Sequence, residues 1–582
     1  MASLALLAQG RALSTIQLRH REASGPPGDW PDSVHPVLRQ IYAARGVLTP
    51  AGVEHRLARL LSPSALGGID RAVILLLEAI RADWSIVVAG DYDCDGATGT
   101  AVAVRGLRLL GAHEVSYAIP NRFVHGYGLS VAFVESLQPT PQLVITVDNG
   151  VASLAGVAAA KARGIRVIVT DHHLPGAQLP DCDAIVNPNL VGDPFPSKML
   201  AGVGVMFYLL LALRAKLREQ GAFASAEPDL SSLLDLVALG TVADLVPLDF
   251  NNRVLVEAGL QRMRSGRACA GITALVEAGK RSLATLCSSD LGFAVGPRLN
   301  AAGRLEDMSL GVECLLADDA TQARLHAERL DAINHERREL QATMVAEAEV
   351  MVAGVKHIEE VGVALYEPSW HAGVIGLVAS KLKERLHRPV IAFAPASEEN
   401  PDHLRGSARS IAGFHIRDAL ATIDARQPGL IERFGGHAMA AGLSLKAIDY
   451  PRFAAAFDAV ARAVIAPERL QALLYTDGEL PAGAASLELA RQLRRAGPWG
   501  QAFPEPLFDN LFECASWKVM GGSHLRLQLR DPRDGMLHDA VMFNAYHGQP
   551  PPPRLRAAYE LTINDWQGRE NPRLLLRHIE PA

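Results

Sequence analysis

Short apolar runs separated by stretches of helical periodicity dominate the first half of the chain. Between residues 71 and 265 the runs Ser85–Ala89, Val115–Ile119, Leu143–Val147 and Arg166–Thr170 are each five residues long and mostly rich in Val and Ile. Runs this short and this apolar predict strands buried on both faces. The segments Arg71–Ala82 and Thr98–Leu110 carry helical spacing between them. Strands alternating with helices predict a parallel sheet covered on both sides, an α/β fold. The apolar stretch Val203–Leu213 is too short to span a bilayer and reads as a core helix. Ligands of such sheets bind at the carboxyl ends of the strands, so the polar residues just after each run matter most.

The pattern changes three times outside this region. Residues 1–70 form a mixed leader with a Pro-rich turn at Gly25-Pro26-Pro27-Gly28. Between Gly311 and Gly354 there is neither Gly nor Pro, which predicts one connecting helix about 50–60 Å long. Residues 355–468 repeat the α/β pattern, with strands at Val361–Leu365 and Val390–Phe393 and a helix at Gly373–Leu386. In residues 469–582 Leu525–Leu529 alternates strictly and Tyr559–Ile563 reads as a second strand, predicting a small β domain of OB type.

Composition adds little. With 49% apolar residues the chain has ample material for several cores, and its length suits three or four domains of roughly 100–200 residues. A net charge of −6 gives no basic footprint and by itself argues against nucleic acid. Whole-chain charge hides local patches, however, and bound metals return positive charge that a residue count omits. The six Cys form no CxxC pair, so reduced thiols in a cytoplasmic protein are expected. Met1–Gly10 is apolar but has no basic leading residues, so neither a secretory signal nor a membrane partner is expected.

The chemistry lies after the strands. Asp91, Asp93 and Asp95 alternate directly behind the first run. On a strand they would share one face and repel. At a strand-to-helix turn they converge on a cation, and oxygen donors suit Mg²⁺ or Mn²⁺. Asp148 ends the third run and, taken alone, reads equally well as a helix cap. Asp171-His172-His173 ends the fourth; adjacent histidines point different ways, so one can ligate while the other meets substrate, and imidazole favours Mn²⁺. Asp244 follows Leu239–Ala243 and alone reads as a helix-end carboxylate. Together they place acids at the same end of successive elements. Five or six carboxylates there repel severely without cations. A two-metal centre resolves that conflict and stabilises both attacking and leaving oxygens at phosphorus.

Arg122 and Tyr127 share a Gly-punctuated loop, where Arg can hold phosphate and Tyr can stack on a base; equally, they can be a surface Arg and a core Tyr. Arg405, Ser407 and Arg409 alternate and can face one groove from a strand. Gly436 and His437 allow close backbone approach to a ligand. Trp370 and His371 are candidates for lining the same cleft, although Trp is commonly core.

These motifs resemble the DHH phosphoesterase family. Asp93/Asp95, Asp148, Asp171-His172-His173 and Asp244 match its successive motifs. Pro120–Leu129, Gly296–Arg304, Trp370–Gly376, Arg405–Arg409 and Phe434–Gly442 are similar to segments of its single-stranded-DNA exonucleases, so the resemblance runs from about residue 70 to 510. It implies a DHH-type parallel sheet domain (71–310), joined by a long helix (311–354) to a DHH-associated α/β domain (355–468), plus a C-terminal OB-like barrel (469–582).

The resemblance implies ligands for two Mn²⁺ or Mg²⁺ ions at Asp93, Asp95, Asp148, His172 and Asp244. Asp148 would bridge, Asp91 would ligate through water or orient a ligand, Asp171 would support its histidine neighbours, and His173 would contact the scissile phosphate. Arg122, Ser407 and Arg409 are assigned to a terminal 5′-phosphate, and Tyr127, Arg405, Gly436 and His437 to the substrate cleft. Arg298, Asn300 and Arg304 are assigned to further phosphate or base contacts, with structural bonds between domains as the other reading.

The implied activity is 5′→3′ exonucleolysis of single-stranded DNA to 5′-mononucleotides in recombination and repair. Single-strand-binding protein and a RecQ-type helicase are its implied partners. Cys94 stands where the family more often has a small residue, so oxidation sensitivity is expected; His125 stands where an acid is common.

Two other functions compete. Family members acting on oligoribonucleotides or other small nucleotides are typically shorter and lack the appended barrel. Relatives that serve as scaffolds in replication have lost metal ligands, which this sequence keeps. RNA as the polymer is a third possibility, decided by room for a 2′-hydroxyl.

Overall fold

The computed structural model describes residues 16–582 apart from 27, 122–123, 225, 354–359, 398–399 and 567. After the first described strand, β1 (Ile16–His20), five parallel strands build the first sheet: β2 (Ile86–Ala89), β3 (Val115–Ala118), β4 (Leu143–Val147), β5 (Arg166–Thr170) and β6 (Ala184–Val186). Their order is β3-β2-β4-β5-β6. The chain leaves β2 toward one edge and returns to its other side at β4. The strand order therefore reverses between β2 and β4, where open α/β sheets leave a crevice at the carboxyl ends.

The four expected strands are present to within a residue. β6 was not expected, because three residues are too short a run to stand out. The helix after β2 starts at Cys94, four residues earlier than the Gly96-punctuated sequence suggests. Asp93 caps it by accepting the Gly96 N–H at 3.0 Å. The predicted core helix is Gly202–Glu219, whose first half, Gly202 to Leu210, is wholly buried. Among the described residues no single helix is long and apolar enough to cross a membrane; one bent pair, Leu57–Ala65 with Ile69–Arg81, passes by length and composition.

The Gly- and Pro-free stretch is two helices rather than one. Ser309–Leu316 ends at Ala317, and Ala320–Ala353 begins after Asp319, whose carboxylate accepts the Gln322 N–H at 2.9 Å. A local acceptor can end a helix without Gly or Pro. The second helix has 34 residues and is about 51 Å long. Ala323, Ala327 and Leu330 are buried in the first lobe's core; Met344, Ala348 and Val352 are buried in the second lobe's, with Trp370.

The second sheet contains β7 (Val363–Tyr366), β8 (Val390–Pro395), β9 (His403–Arg409), β10 (Arg433–Gly436) and β11 (Ala440–Lys446), ordered β10-β11-β9-β8-β7. Only β7 and β8 run parallel. Next comes β12 (Ala472–Thr476), then a closed barrel of β13 (Phe508–Met520), β14 (His524–Arg530), β15 (Leu537–Met542), β16 (Arg554–Trp566) and β17 (Arg569–Pro581). The OB-like expectation is met.

The N-terminal segment is not a free leader. β1 pairs with β12 in parallel, and Arg45 meets Asp477 at 2.7 Å. Tyr42 stacks on Trp499 at 6.2 Å and donates its hydroxyl to the Ala496 carbonyl at 2.9 Å. Trp499 also stacks on Phe503 at 5.1 Å and donates to the Leu493 carbonyl, and its own carbonyl accepts the Ser288 hydroxyl of the first lobe at 2.6 Å. Trp499→Ala should cost about 3–5 kcal/mol, read as a lower thermal unfolding midpoint.

Candidate active site

Each proposed ligand is set by a local backbone device. Asp95 sits in the first turn of the helix Cys94–Leu109, fully buried. Its two oxygens accept the Gly202 and Val203 N–H groups at 2.6 and 3.0 Å, at the positive end of the helix Gly202–Glu219. Asp148 follows β4 with φ 63°, a left-handed conformation that Asp tolerates better than most residues. Its carboxylate base packs on Gly202, where an added Cβ would lie 2.5 Å from Asp148 Cβ. Asn149 bonds the Ala89 and Val147 carbonyls at 3.1 and 2.9 Å, joining the ends of β2 and β4 across the crevice.

Asp171 is buried and its carboxylate is saturated. It accepts the N–H groups of Val151 (2.8 Å), His172 (2.7 Å) and His173 (3.0 Å), and lies 2.8 Å from His173 Nδ1. Burial opposes its charge, but the bond from His173 and the backbone donors hold it below the usual carboxylate range. Asn189 and Asn187 bond the carbonyls of His172 and His173 at 2.5 and 2.9 Å. These two asparagines, directly behind β6, were missed in the sequence; the Asn-Pro-Asn triplet was the available signal.

The result is a convergent donor set. His172 Nε2 lies 3.0 Å from Asp148 Oδ1 and 3.5 Å from Asp244 Oδ2, yet all three atoms are buried without a hydrogen bond. Buried polar atoms are almost always satisfied. Atoms this close that do not bond one another are aimed at a shared third body. Three groups have donor atoms within 4.8 Å of one another: Asp95, His172 and Asp244; Asp91, Asp93 and Asp148; and Asp148 with both histidines. The residues therefore fit divalent cations, with Asp148 in two of the three groups, and the oxygen-rich set with imidazole suits Mn²⁺ or Mg²⁺.

The electrostatics agree. Burial, then the negative charge of neighbouring carboxylates, pushes Asp95 and Asp148 well above the ordinary range; burial raises Asp244 as well. Burial pulls His172 down, which favours the neutral, ligating imidazole. Burial also opposes the charge on His173, but Asp171 overcomes it and lifts His173 to about 9.

The remaining candidates divide. The Tyr127 hydroxyl lies 3.4 Å from His173 Nε2, so Tyr127 faces the site and is not core. His437 stacks on His173 at 6.2 Å and 17°, bringing the second lobe onto the first. Gly436 there has φ 137°, and a Cβ would meet the Ala440 carbonyl at 2.5 Å. On β9, Arg409 donates to Ser407 Oγ at 3.1 Å; Arg405 shares that face further along and is exposed. Asn300 accepts the Cys94 N–H at 2.8 Å and so braces the acidic loop. Arg298 is tied to Asp331 at 2.8 Å, and Arg304 reaches the Gly373 carbonyl at 3.4 Å. His371 accepts the Gly373 N–H at 3.1 Å.

Arg122 lies outside the described residues. Two expectations are corrected. Trp370 is core, bonded to Glu347 at 2.9 Å, and does not line the cleft. Cys94 is 1% exposed and burial pushes its thiol well up, so it is shielded and poorly ionised, the opposite of an oxidation-sensitive thiol.

Comparisons with known proteins agree along the chain. The DHH family N-terminal domain matches residues 85–241, the DHHA1 domain residues 353–463 and the RecJ OB domain residues 476–578. The single-stranded-DNA-specific exonuclease RecJ of Dickeya dadantii is 49% identical over 575 residues, covering 97% of this chain and 99% of that protein. Its Escherichia coli counterpart is 47% identical over 576 residues, covering 97% and 99%. The crystal structure of Thermus thermophilus RecJ in complex with Mn²⁺ aligns with a TM-score of 0.78 at 31% identity, covering 94% of this chain and 76% of that one. A second structure, of the same protein with Mg²⁺, aligns with a TM-score of 0.74 at 30% identity, covering 94% and 75%.

Two outcomes follow from the geometry. The carboxyls of Asp95, Asp148 and Asp244 are raised in the folded state, so the metal-free protein loses stability as pH climbs through those raised values. Mn²⁺ binds the deprotonated forms. The rise in unfolding temperature on adding Mn²⁺ should therefore be larger at pH 8 than at pH 5.5. Gly202→Ala should displace Asp148 and weaken Mn²⁺ binding about 10–100-fold by titration calorimetry, a size typical of disturbed ligand support.

Proposed function

Because this chain belongs to the RecJ family of DHH phosphoesterases, we propose that it is a single-stranded-DNA-specific exonuclease that digests from the 5′ end and releases 5′-mononucleotides. The observation that carries the hydrolytic reading is the set of buried, unbonded donor atoms on Asp148, His172 and Asp244 at the strand-order reversal. Asp91, Asp93, Asp95, Asp148, His172 and Asp244 would hold two Mn²⁺ or Mg²⁺ ions. When bound, these ions supply Lewis-acid stabilisation of the oxygens that enter and leave at phosphorus.

The chain's own groups do the rest. Asp171 fixes the His173 ring through Nδ1 and keeps it protonated at neutral pH, leaving Nε2 to donate to a non-bridging or leaving oxygen of the scissile phosphate. Tyr127, beside Nε2, limits how that ring turns and offers an aromatic face to the adjoining base. His437 closes over His173 from the second lobe and helps exclude water.

Support for the 5′ polarity comes from Ser407 and Arg409. Both approach the start of the helix Ile375–Leu386 at Gly376, where a Cβ would lie 2.9 Å from each side chain. A hydroxyl, a guanidinium and a helix N-terminus together form an anion pocket. Burial lowers the Arg409 pKa, and its guanidinium bonds Ser407 and the Ala408 carbonyl, with no ion pair to it among the described residues. Arg122 is assigned to the same phosphate on sequence grounds. Arg298, Asn300 and Arg304 border the path of the following nucleotides.

The two-lobed cleft favours single strands. A strand-separating helicase of RecQ type and single-strand-binding protein are therefore proposed as partners, and the cytoplasm as the location. The barrel and bridging helix favour a polymer over small nucleotides.

A 3′-labelled, 5′-phosphorylated single strand incubated with Mn²⁺ should give progressively shorter labelled products, and Asp148→Ala or EDTA should stop the reaction. Labelled mononucleotide released first would reverse the polarity. Cleavage of dinucleotides alone would move the protein to the small-substrate branch. Arg409→Ala should raise KM roughly 10–150-fold for 5′-phosphorylated strands and far less for 5′-hydroxyl strands, following the loss of about 1.5–3 kcal/mol in charged hydrogen bonds.

A further inference from the structure

Phe293 is out of place for an apolar ring. It is 83% exposed, the third most exposed large apolar residue among those described and the most exposed aromatic one. It sits in the π-helical turn Leu291–Val295, and such turns are rare and recur at functional sites. That turn leads directly into the helix Gly296–Leu305. One face of this helix is pressed on the acidic loop, with Gly303 against the Tyr92 carbonyl and Asn300 bonding Cys94.

The same helix also borders a cavity of about 630 Å³, lined by Arg298, Asn300 and Arg304 and by the long helix Ala320–Ala353. Its wall carries Lys280, Arg281, Arg298, Arg304, Arg337 and Arg338 against a single acid, Asp331. In a chain with net charge −6 this is a strong local excess of positive charge. Arg298 uses Asp331, Arg281 pairs with Asp290 at 2.8 Å, and Arg337 bonds Gln341 and Asn334 with no acid against it among the described residues. Burial and the neighbouring Arg338 lower the Arg337 pKa, as uncompensated cations do. Phe293 and Arg281 also line a second cavity, of about 560 Å³, between the first lobe and the barrel, where Arg494, Arg573 and Arg577 share the wall with Asp290, Glu505 and Glu560, and Arg281 and Arg577 pair with Asp290 and Glu560 at 2.8 and 2.7 Å. Phe293 thus stands on the ridge between a basic cavity and one of mixed charge, the first of which reaches the residues that brace the metal ligands.

We propose that Phe293 is the stacking post for a base of the undigested strand downstream of the cleavage point. Lys280, Arg337 and Arg338 hold the adjoining phosphates, and the ridge hands the strand on toward the barrel. Cations that follow a backbone, interleaved with an aromatic ring, are how proteins grip single strands without reading sequence. This rests on the exonuclease reading above and assigns a site outside the metal cluster. It gives the enzyme a hold on the next nucleotides while the terminal one is cut.

The test compares KM and kcat of wild type, Phe293→Ala and Phe293→Trp on 5′-phosphorylated single strands from two to thirty nucleotides, with Mn²⁺. In wild type KM falls with length until the strand reaches the ridge. Phe293→Ala should remove that last gain, raising KM about tenfold on long strands with kcat kept, and Phe293→Trp should restore it. Arg338→Gln should flatten the rise of KM with salt. A Phe293→Ala enzyme with wild-type KM at every length overturns the proposal and leaves the ring as a contact for a protein. If wild type digests no single strand at all, the exonuclease reading itself fails, and the inference with it. Phe293 is on the surface, so its loss is not expected to disturb folding, and unchanged Mn²⁺-dependent unfolding checks this.

Discussion

Carboxylates crowded away from water repel one another, and the architecture of the first lobe answers that repulsion. Asp91, Asp95 and Asp148 are each under 5% exposed, and Asp244 is not far from them. No apolar core would gather them. They converge because β2 and β4 end side by side at the reversal of strand order, and because each acid is held by something that does not depend on metal. Two backbone N–H groups at a helix start hold Asp95, and a left-handed backbone position holds Asp148. The tension is relieved only by cations.

The second lobe matters because it supplies what the metal cluster lacks. His437 meets His173, and the hydrogen-bonded Ser407–Arg409 pair is the proposed pocket for an anion. The 34-residue helix fixes the spacing between the lobes by burying its two ends in different cores. The joining of β1 to β12, and of Tyr42 to Trp499, holds the barrel to the first lobe through the chain's own N-terminal segment. Cleft, anion pocket and barrel thus keep a set geometry around one chemical centre.

Much of this was legible in the sequence, for identifiable reasons. Val- and Ile-rich runs of five residues show through any composition, so β2 to β5 could be read and the acids after them located. β6 could not, because Ala184–Val186 is too short to rise above its surroundings. With it went Asn187 and Asn189, which position the two histidines. Gly96 looked like a turn and is helical, since Asp93 caps the helix before it. The break at Asp319 was hidden because Ala and Asp fit a helix locally and end one only through a specific bond. Whether Trp370 lined a cleft or filled a core, and whether Cys94 was exposed, depended on packing between segments far apart in the chain. Tyr127 and His437 both lie beside His173, and these ring contacts appear only in three dimensions.

The account stands on the acidic cluster being a two-cation centre. The most direct measurement is the number of Mn²⁺ ions bound per chain at pH 8, by equilibrium dialysis with elemental analysis, for wild type and Asp148→Ala. The account predicts two ions in wild type. It predicts one or none in the variant, because the shared ligand is gone. A single ion in wild type, or a variant that still binds two, would contradict it.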